Sequence, residues 1–249
     1  MSRTYSHLFG FRIFAGSMDE LLARIGEMAA QEMAASITFV TANRLIKAHF
    51  FKKQAALLNS ATLLIPQGRG ITWVARRFAE PLTTFFSPAD VSMNVLRGAI
   101  EHKQTLFFLG SRPDTILQAV TTLRKSFPEM RIVGSYHGHF KPERGEDIVS
   151  AIRKSAPSFL FVGMGFPKQE NWIIQNQKAM PSTIAISVGN TFDLCAGITT
   201  RGPLWLRRRG LEGLSKAFRN PLRMGRFFWI IVLVFTVFWH KIFKKHRRK

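Results

Sequence analysis

The sequence is poor in cysteine and in acid. A single cysteine, Cys195, excludes an intramolecular disulfide and a zinc site built from several thiolates. It fits a reducing compartment. Only 15 Asp and Glu stand against 36 Lys and Arg, a formal net charge of +21. That excess implies an anionic partner: nucleic acid, a phosphorylated substrate or acidic lipid. Charged residues are 20% and hydrophobic residues 46% of the chain, which excludes disordered and collagen-like classes. No internal repeat and no low-complexity linker is visible. The opening MSRTYSHLFGFRIFAGSMDE has no unbroken apolar stretch of signal-peptide length before its first charges. Neither a GxxxxGK[ST] loop nor a GxSxG elbow occurs, so P-loop and serine-hydrolase chemistry are unsupported.

The charge is unevenly spread. Residues 1–200 carry 22 basic and 14 acidic side chains, whereas residues 201–249 carry 14 basic and one acidic, Glu212. The body therefore reads as an ordinary enzyme domain, and the tail needs its own explanation. Residues 227–239 (FFWIIVLVFTVFW) hold no charge; Arg223 and Arg226 precede them and HKIFKKHRRK follows. A helix over residues 227–243 would be ~26 Å long at ~1.5 Å per residue, a little less than a ~30 Å hydrocarbon core. Residues 230–238 are apolar on every side, which favours a short or tilted insertion over a helix lying in the interface. The final KKHRRK would bind acidic headgroups.

The body alternates short apolar runs with amphipathic helical segments. Strands are expected at 36–41, 62–66, 105–110, 131–136, 158–163 and 183–189. Helices are expected at about 18–35, 43–58, 71–78, 89–102, 113–127, 146–155 and 168–180. Near-continuous apolar strands alternating with helices imply an α/β fold with a mainly parallel sheet covered on both faces. The simplest organisation is one domain over 1–200, an Arg-rich appendage over 201–226 and a membrane-associating tail over 227–249.

In such a sheet, ligands bind at the carboxyl ends of the strands. The segments there are TANR (41–44), PQGRG (66–70), GSRPD (110–114), GMGFPKQEN (163–171) and GNTFDLCAG (189–197). Gly163 and Gly165 let the backbone turn sharply and a ligand approach. Pro167 suits a helix start, where free amides favour an anion such as a sugar diphosphate. Lys168, Gln169 and Glu170 add a cation, a hydrogen-bonding fork and a carboxylate. The bland reading of this segment is a tight turn before a capped helix. It is not a dinucleotide fingerprint, since the third glycine is missing. Asp193, after Gly189, either orients a sugar hydroxyl or caps a helix. Thr41 and Asn43 bring a hydroxyl and an amide to another strand end, with Asn43 as a plain N-cap the alternative. Gly110 and Arg112 lie where a helix start would meet phosphate. His137 and His139 lack companions at ligand spacing, so no metal site is assigned. Arg201, Arg207, Arg208, Arg209, Arg219, Arg223 and Arg226 cluster within 26 residues, suited to phosphate oxygens or to acidic lipid.

Taken together these segments resemble the WecG/TagA/CpsF family of bacterial glycosyltransferases, from about residue 10 to residue 228. The matching residues are Thr41 and Asn43, Gly68 and Gly70, Gly110, then Gly163, Gly165, Pro167, Gln169 and Glu170. Gly189, Phe192, Asp193 and Gly197 follow, then Arg201 and Pro203, Gly210, Leu211 and Glu212, and Pro221, Arg223 and Arg226. The resemblance implies a Rossmann-like α/β enzyme with a helical C-terminal appendage and no required metal or other cofactor. It implies inverting transfer of a sugar from a UDP-sugar to a polyprenyl-diphosphate-linked acceptor, at the cytoplasmic face of the membrane, in cell-surface or exopolysaccharide synthesis. The appendage would meet acidic lipid and close over the site with its arginines. Homo-oligomerisation is compatible with the sequence.

Two departures bear on mechanism. Where the family carries an Asp in a PDGxG segment and regards it as its base, this sequence has Gln67, which cannot take a proton at neutral pH. In TTFFSPAD, Phe85 and Pro88 replace an expected Arg and Gly, while Asp90 remains. Asp90 is the first substitute base and Asp193 the second. Thr41, Asn43 and Gln169 would position sugar or acceptor. Arg207, Arg219 and Arg223, with the 163–169 turn, would stabilise leaving UDP. Two alternatives stand beside this reading. One is a catalytically silent relative that binds lipid-linked sugar, motivated by Gln67. The other is a basic nucleic-acid-binding protein, which the charge permits although no such motif appears.

Overall fold

The computed structural model describes residues 4–78 and 80–200. The chain opens with a hairpin, β1 (Tyr5–Leu8) and β2 (Phe11–Phe14), paired antiparallel. Phe9 and Gly10 form its two-residue turn at φ of 53° and 84°, the left-handed geometry that matches strand twist. Helix α1 (Met18–Ala30) follows. Its start is held by a capping box: Glu20 N–H donates to Ser17 Oγ (3.2 Å), and Ser17 N–H donates to Glu20 Oε2 (2.7 Å).

Strand and helix then alternate: β3 (Ala35–Val40), α2 (Ala42–Phe50), α3 (Lys52–Asn59), β4 (Leu63–Pro66), α4 (Arg69–Arg77) and α5 (Pro88–Glu101). They continue as β5 (Thr105–Gly110), α6 (Pro113–Ser126), β6 (Arg131–Tyr136), α7 (Gly145–Ser155), β7 (Phe159–Gly163), α8 (Lys168–Asn176), β8 (Ile184–Ser187) and α9 (Thr191–Cys195). Strands β3 to β8 form one sheet in the order β4-β3-β8-β7-β5-β6, and every pairing is parallel. The α/β expectation holds, with the sheet wholly parallel among its six strands.

Side-chain alternation explains why both faces are covered. Ile37, Phe39, Leu63, Ile65, Phe108, Phe161, Ile184 and Ile186 point to one face and pack under α1, α5, α6 and α9. On the other face Val40 and Leu64 meet the hairpin, α2 and α4. Beside them Phe107, Leu109, Leu160, Val162 and Ala185 meet α7 and α8. Each central strand is thus buried on both sides, as its unbroken apolar run requires.

The structure departs from the expected elements in several places. The hairpin and α9 are additional to them. The helix expected over 43–58 is broken at Phe51, whose extended backbone (φ −115°, ψ 110°) ends α2 and starts α3. The first helix stops at Ala30, short of 35, because Glu32 turns into the left-handed region (φ 49°) and Met33 N–H closes back on Met28 O at 3.0 Å. The helix expected to reach 180 ends at Asn176 and passes through one 3-10 turn, Gln177–Ala179. The appendage (201–226) and tail (227–249) lie outside the described residues. Among the described residues, no helix is long and apolar enough to cross a membrane.

Candidate active site

Because the six strands are parallel, their carboxyl ends share one rim. The segments at 41–44, 66–70, 110–114, 163–171 and 189–197 therefore all open on the same side of the sheet. Helix α2 leaves β3 on one face, and α9 leaves β8, the neighbouring strand, on the other. That divergence is where parallel sheets form a crevice. Thr41 and Asn43 flank it on one side, Gly189 and Asp193 on the other.

At the end of β3, Thr41 and not Asn43 is the N-cap of α2: its side chain accepts from Arg44 N–H at 3.3 Å. Asn43 lies half-buried in the first turn. Arg44, which the sequence reading did not single out, reaches inward. Its Nη1 donates to Phe39 O at 2.6 Å, and its guanidinium lies over the Phe166 ring at 4.3 Å.

At the end of β4, Gln67 N–H donates to Val40 O (2.8 Å), and Phe86 N–H donates to Pro66 O (2.8 Å). The first bond extends the pairing with β3, and the second belongs to a parallel bridge between Gln67 and Phe86. Gly68 sits at φ 75°, a conformation suited to glycine, and precedes α4. Four residues beyond the bridged Phe86, Asp90 lies half-buried in the first turn of α5.

Between β5, β7 and β8 the backbones approach closely. A Cβ on Gly110 would come within 2.5 Å of Gly163 backbone, and one on Gly163 within 2.6 Å of the Phe192 ring and 2.9 Å of Gly189 O. Internal packing therefore accounts for glycine at 110 and 163. Gly165 (φ 79°) and Gly189 (φ 59°) face open space, and their backbone angles account for them. Ser111, in the left-handed region at φ 56°, donates from N–H to Gly163 O (2.9 Å) and from Oγ to Asp193 Oδ1 (2.7 Å). Asp193 is thus an acceptor tying α9 to the end of β5. Arg112, next along, is exposed and precedes α6.

In the β7–α8 turn, Gly165 N–H donates to Gln169 Oε1 (3.0 Å), while Gln169 and Asn171 amides donate to Gly165 O and Pro167 O. The expected bank of free amides is narrowed accordingly. Gln169 Nε2 donates to Glu170 Oε1 (2.9 Å), and Arg44 Nη1 stands 3.8 Å from the same oxygen. Both Gln169 and Glu170 are buried, at 1% and 2% exposure. The helical period could have shown this, since 169 and 170 precede the buried Trp172 and Ile173 by one turn. Lys168, expected as a cation for substrate, instead donates from Nζ to Gly138 O (2.7 Å) beside the Phe140 ring.

The rim thus gathers Thr41, Asn43, Gln67, Gly68, Asp90, Gly110, Arg112, Gly163, Gly165, Gln169, Gly189 and Asp193 along one edge. Arg207, Arg219 and Arg223 lie outside the described residues. Among the described residues no group of three His, Cys, Asp or Glu is placed to hold a metal ion; His137 stacks on Tyr136, with ring centroids 4.6 Å apart.

The chain matches the glycosyl transferase WecG/TagA/CpsF family over residues 6–248. It is 28% identical over 234 residues to the N-acetylglucosaminyldiphosphoundecaprenol N-acetyl-beta-D-mannosaminyltransferase of Staphylococcus aureus (strain MW2), covering 93% of this chain and 89% of the relative. It is 29% identical over 186 residues to the protein of the same name from Bacillus spizizenii, covering 75% and 72%. With a family match that spans nearly the whole sequence, the chain belongs to the WecG/TagA/CpsF family of glycosyltransferases.

Proposed function

We propose that the protein transfers a sugar, with inversion, from a UDP-sugar to a sugar linked to polyprenyl diphosphate, in cell-surface or exopolysaccharide synthesis. The observation that carries this reading is the shared rim: among the described residues, one parallel sheet brings the family-pattern segments at 41–44, 66–70, 110–114, 163–171 and 189–197 to one edge. The relatives named above are mannosaminyltransferases acting on an undecaprenyl-diphosphate-linked acceptor, which supports the acceptor class.

In this reading Thr41, Asn43 and Gln169 position the sugars. A base must take the proton of the acceptor hydroxyl, and Gln67 cannot. Asp90 is favoured because it follows by four residues Phe86, which bridges to Gln67. Asp193 stands second, with a structural task of its own: its carboxylate accepts from Ser111. Arg207, Arg219 and Arg223 stabilise the charge that develops on leaving UDP, so no metal is needed. The basic chain works at the cytoplasmic membrane face, where its C-terminal residues meet acidic lipid.

The test is transfer of radiolabel from a panel of UDP-sugars to a polyprenyl-diphosphate-linked acceptor in detergent. Label on the lipid with one donor supports the reading. A second reading, a silent relative that binds but does not transfer, is motivated by Gln67; binding of UDP-sugar without transfer from any donor would establish it.

A further inference from the structure

The first turn of α2 and the β7–α8 turn are tied together at a single carboxylate. Glu170 Oε1 accepts from Gln169 Nε2 at 2.9 Å and faces Arg44 Nη1 at 3.8 Å. Gln169 in turn closes the glycine turn by accepting from Gly165 N–H, and Arg44 clamps Phe166 beneath its guanidinium. The Glu170 side chain is 1% exposed, whereas Arg44 keeps 23% of its side chain at the surface. Glu170 Oε2 is buried without a hydrogen-bond partner among the described residues.

Such an arrangement costs folding free energy. A buried carboxylate with one oxygen unmatched is disfavoured by desolvation. Neutral or apolar replacements of buried ion pairs are commonly tolerated or better for stability. Local departures from the stable choice gather at functional sites. Here the carboxylate fixes which way the Gln169 amide points and where the Arg44–Phe166 pair stands, at the edge of the crevice between β3 and β8.

We propose that Glu170 is a positioning residue for the transfer reaction, holding Gln169 and Arg44 so that the α2 and β7–α8 turns present one rigid wall to the sugar donor. The proposal rests on the glycosyltransfer reading above. It predicts a graded loss. Glu170→Gln keeps an oxygen for Gln169 but loses the attraction for Arg44. Glu170→Ala loses both.

The experiment measures two things on the full chain: hydrogen exchange of the 163–169 segment, and steady-state transfer from the donor that the wild type uses. Glu170→Ala should speed exchange at Gly165 and lower kcat about a hundredfold, the scale of a misplaced reactant, with the donor KM little changed. Glu170→Gln should fall between the alanine variant and the wild type in both readouts, and it carries the test if the alanine variant does not fold. Unchanged exchange in a folded variant would overturn the proposal. Faster exchange with wild-type kcat would overturn it too, reducing Glu170 to a packing role. If the wild type itself transfers no sugar, the glycosyltransfer reading fails, and the exchange data alone decide whether Glu170 clips the turn.

Discussion

Ser111 donates its hydroxyl to Asp193 at 2.7 Å across 82 residues of sequence, joining the end of β5 to the helix that follows β8. The bond holds the α9 start against the glycine seam formed by Gly110, Gly163 and Gly189. Ser111 pays a conformational cost for this, since φ 56° is unfavourable for any residue with a Cβ. Ser111→Ala keeps that cost and loses the bond, so it should destabilise the fold by about 1.5–3 kcal/mol, the range for hydrogen bonds to charged groups. Ser111→Gly loses the bond but removes the strain, and should be the milder change. Urea denaturation of both variants checks the order; a milder alanine would contradict it.

The glycines of the rim divide into two classes. At Gly163 an added Cβ meets the Phe192 ring and Gly189 carbonyl, both within 3 Å, so Gly163→Ala must displace α9 or β8. At Gly165 nothing stands within 4 Å and only the positive φ resists. Gly165→Ala should therefore fold, losing about 1–2 kcal/mol from the left-handed backbone. Gly163→Ala should cost more than that, on the scale of core overpacking at about 1–3 kcal/mol added to any seam disruption. Thermal melts of the two variants, run side by side, check the ranking.

Asp90 and Gln67 make a sharper pair. If Asp90 takes the acceptor proton, Asp90→Asn should lower kcat by about 10²–10⁴-fold, the usual worth of a general base, with the melting temperature close to wild type. Asp193→Asn should act mainly on stability, through Ser111. Rates and melts of both variants with the active donor decide; full activity in Asp90→Asn would remove it as the base.

If arginine rather than a metal stabilises the leaving group, two expectations follow. Transfer should proceed unchanged in EDTA. Changing Arg219 and Arg223 to Ala should slow transfer far more than it lowers stability. Loss of activity in EDTA that magnesium or manganese restores would contradict the first; unchanged turnover in a detergent assay would remove the arginines from the mechanism.

The sheet was legible because its strands are buried on both faces. Runs such as TLFFLG and SFLFVG have no polar side to blur the pattern, and the rim segments follow them at once. The hairpin was harder to see, since its strands are only four residues long and its Phe9–Gly10 turn lacks the common Asn-Gly signal. At the rim, local sequence showed which residues cap and turn, though not which ones meet. Nothing adjacent in the chain links Gln67 to Phe86, Ser111 to Asp193, or Arg44 to Glu170. Those contacts are made by the crossovers. Lys168 shows the reverse limit: a cation in a promising motif is held by a loop carbonyl from β6 onward.

The central claim is that the donor binds along the shared rim. Hydrogen exchange of the full-length protein with and without UDP tests it directly. Slower exchange at 41–44, 67–70, 163–170 and 189–193 is the predicted result. Protection confined to the opposite ends of the strands, with those four segments unaffected, would contradict the account.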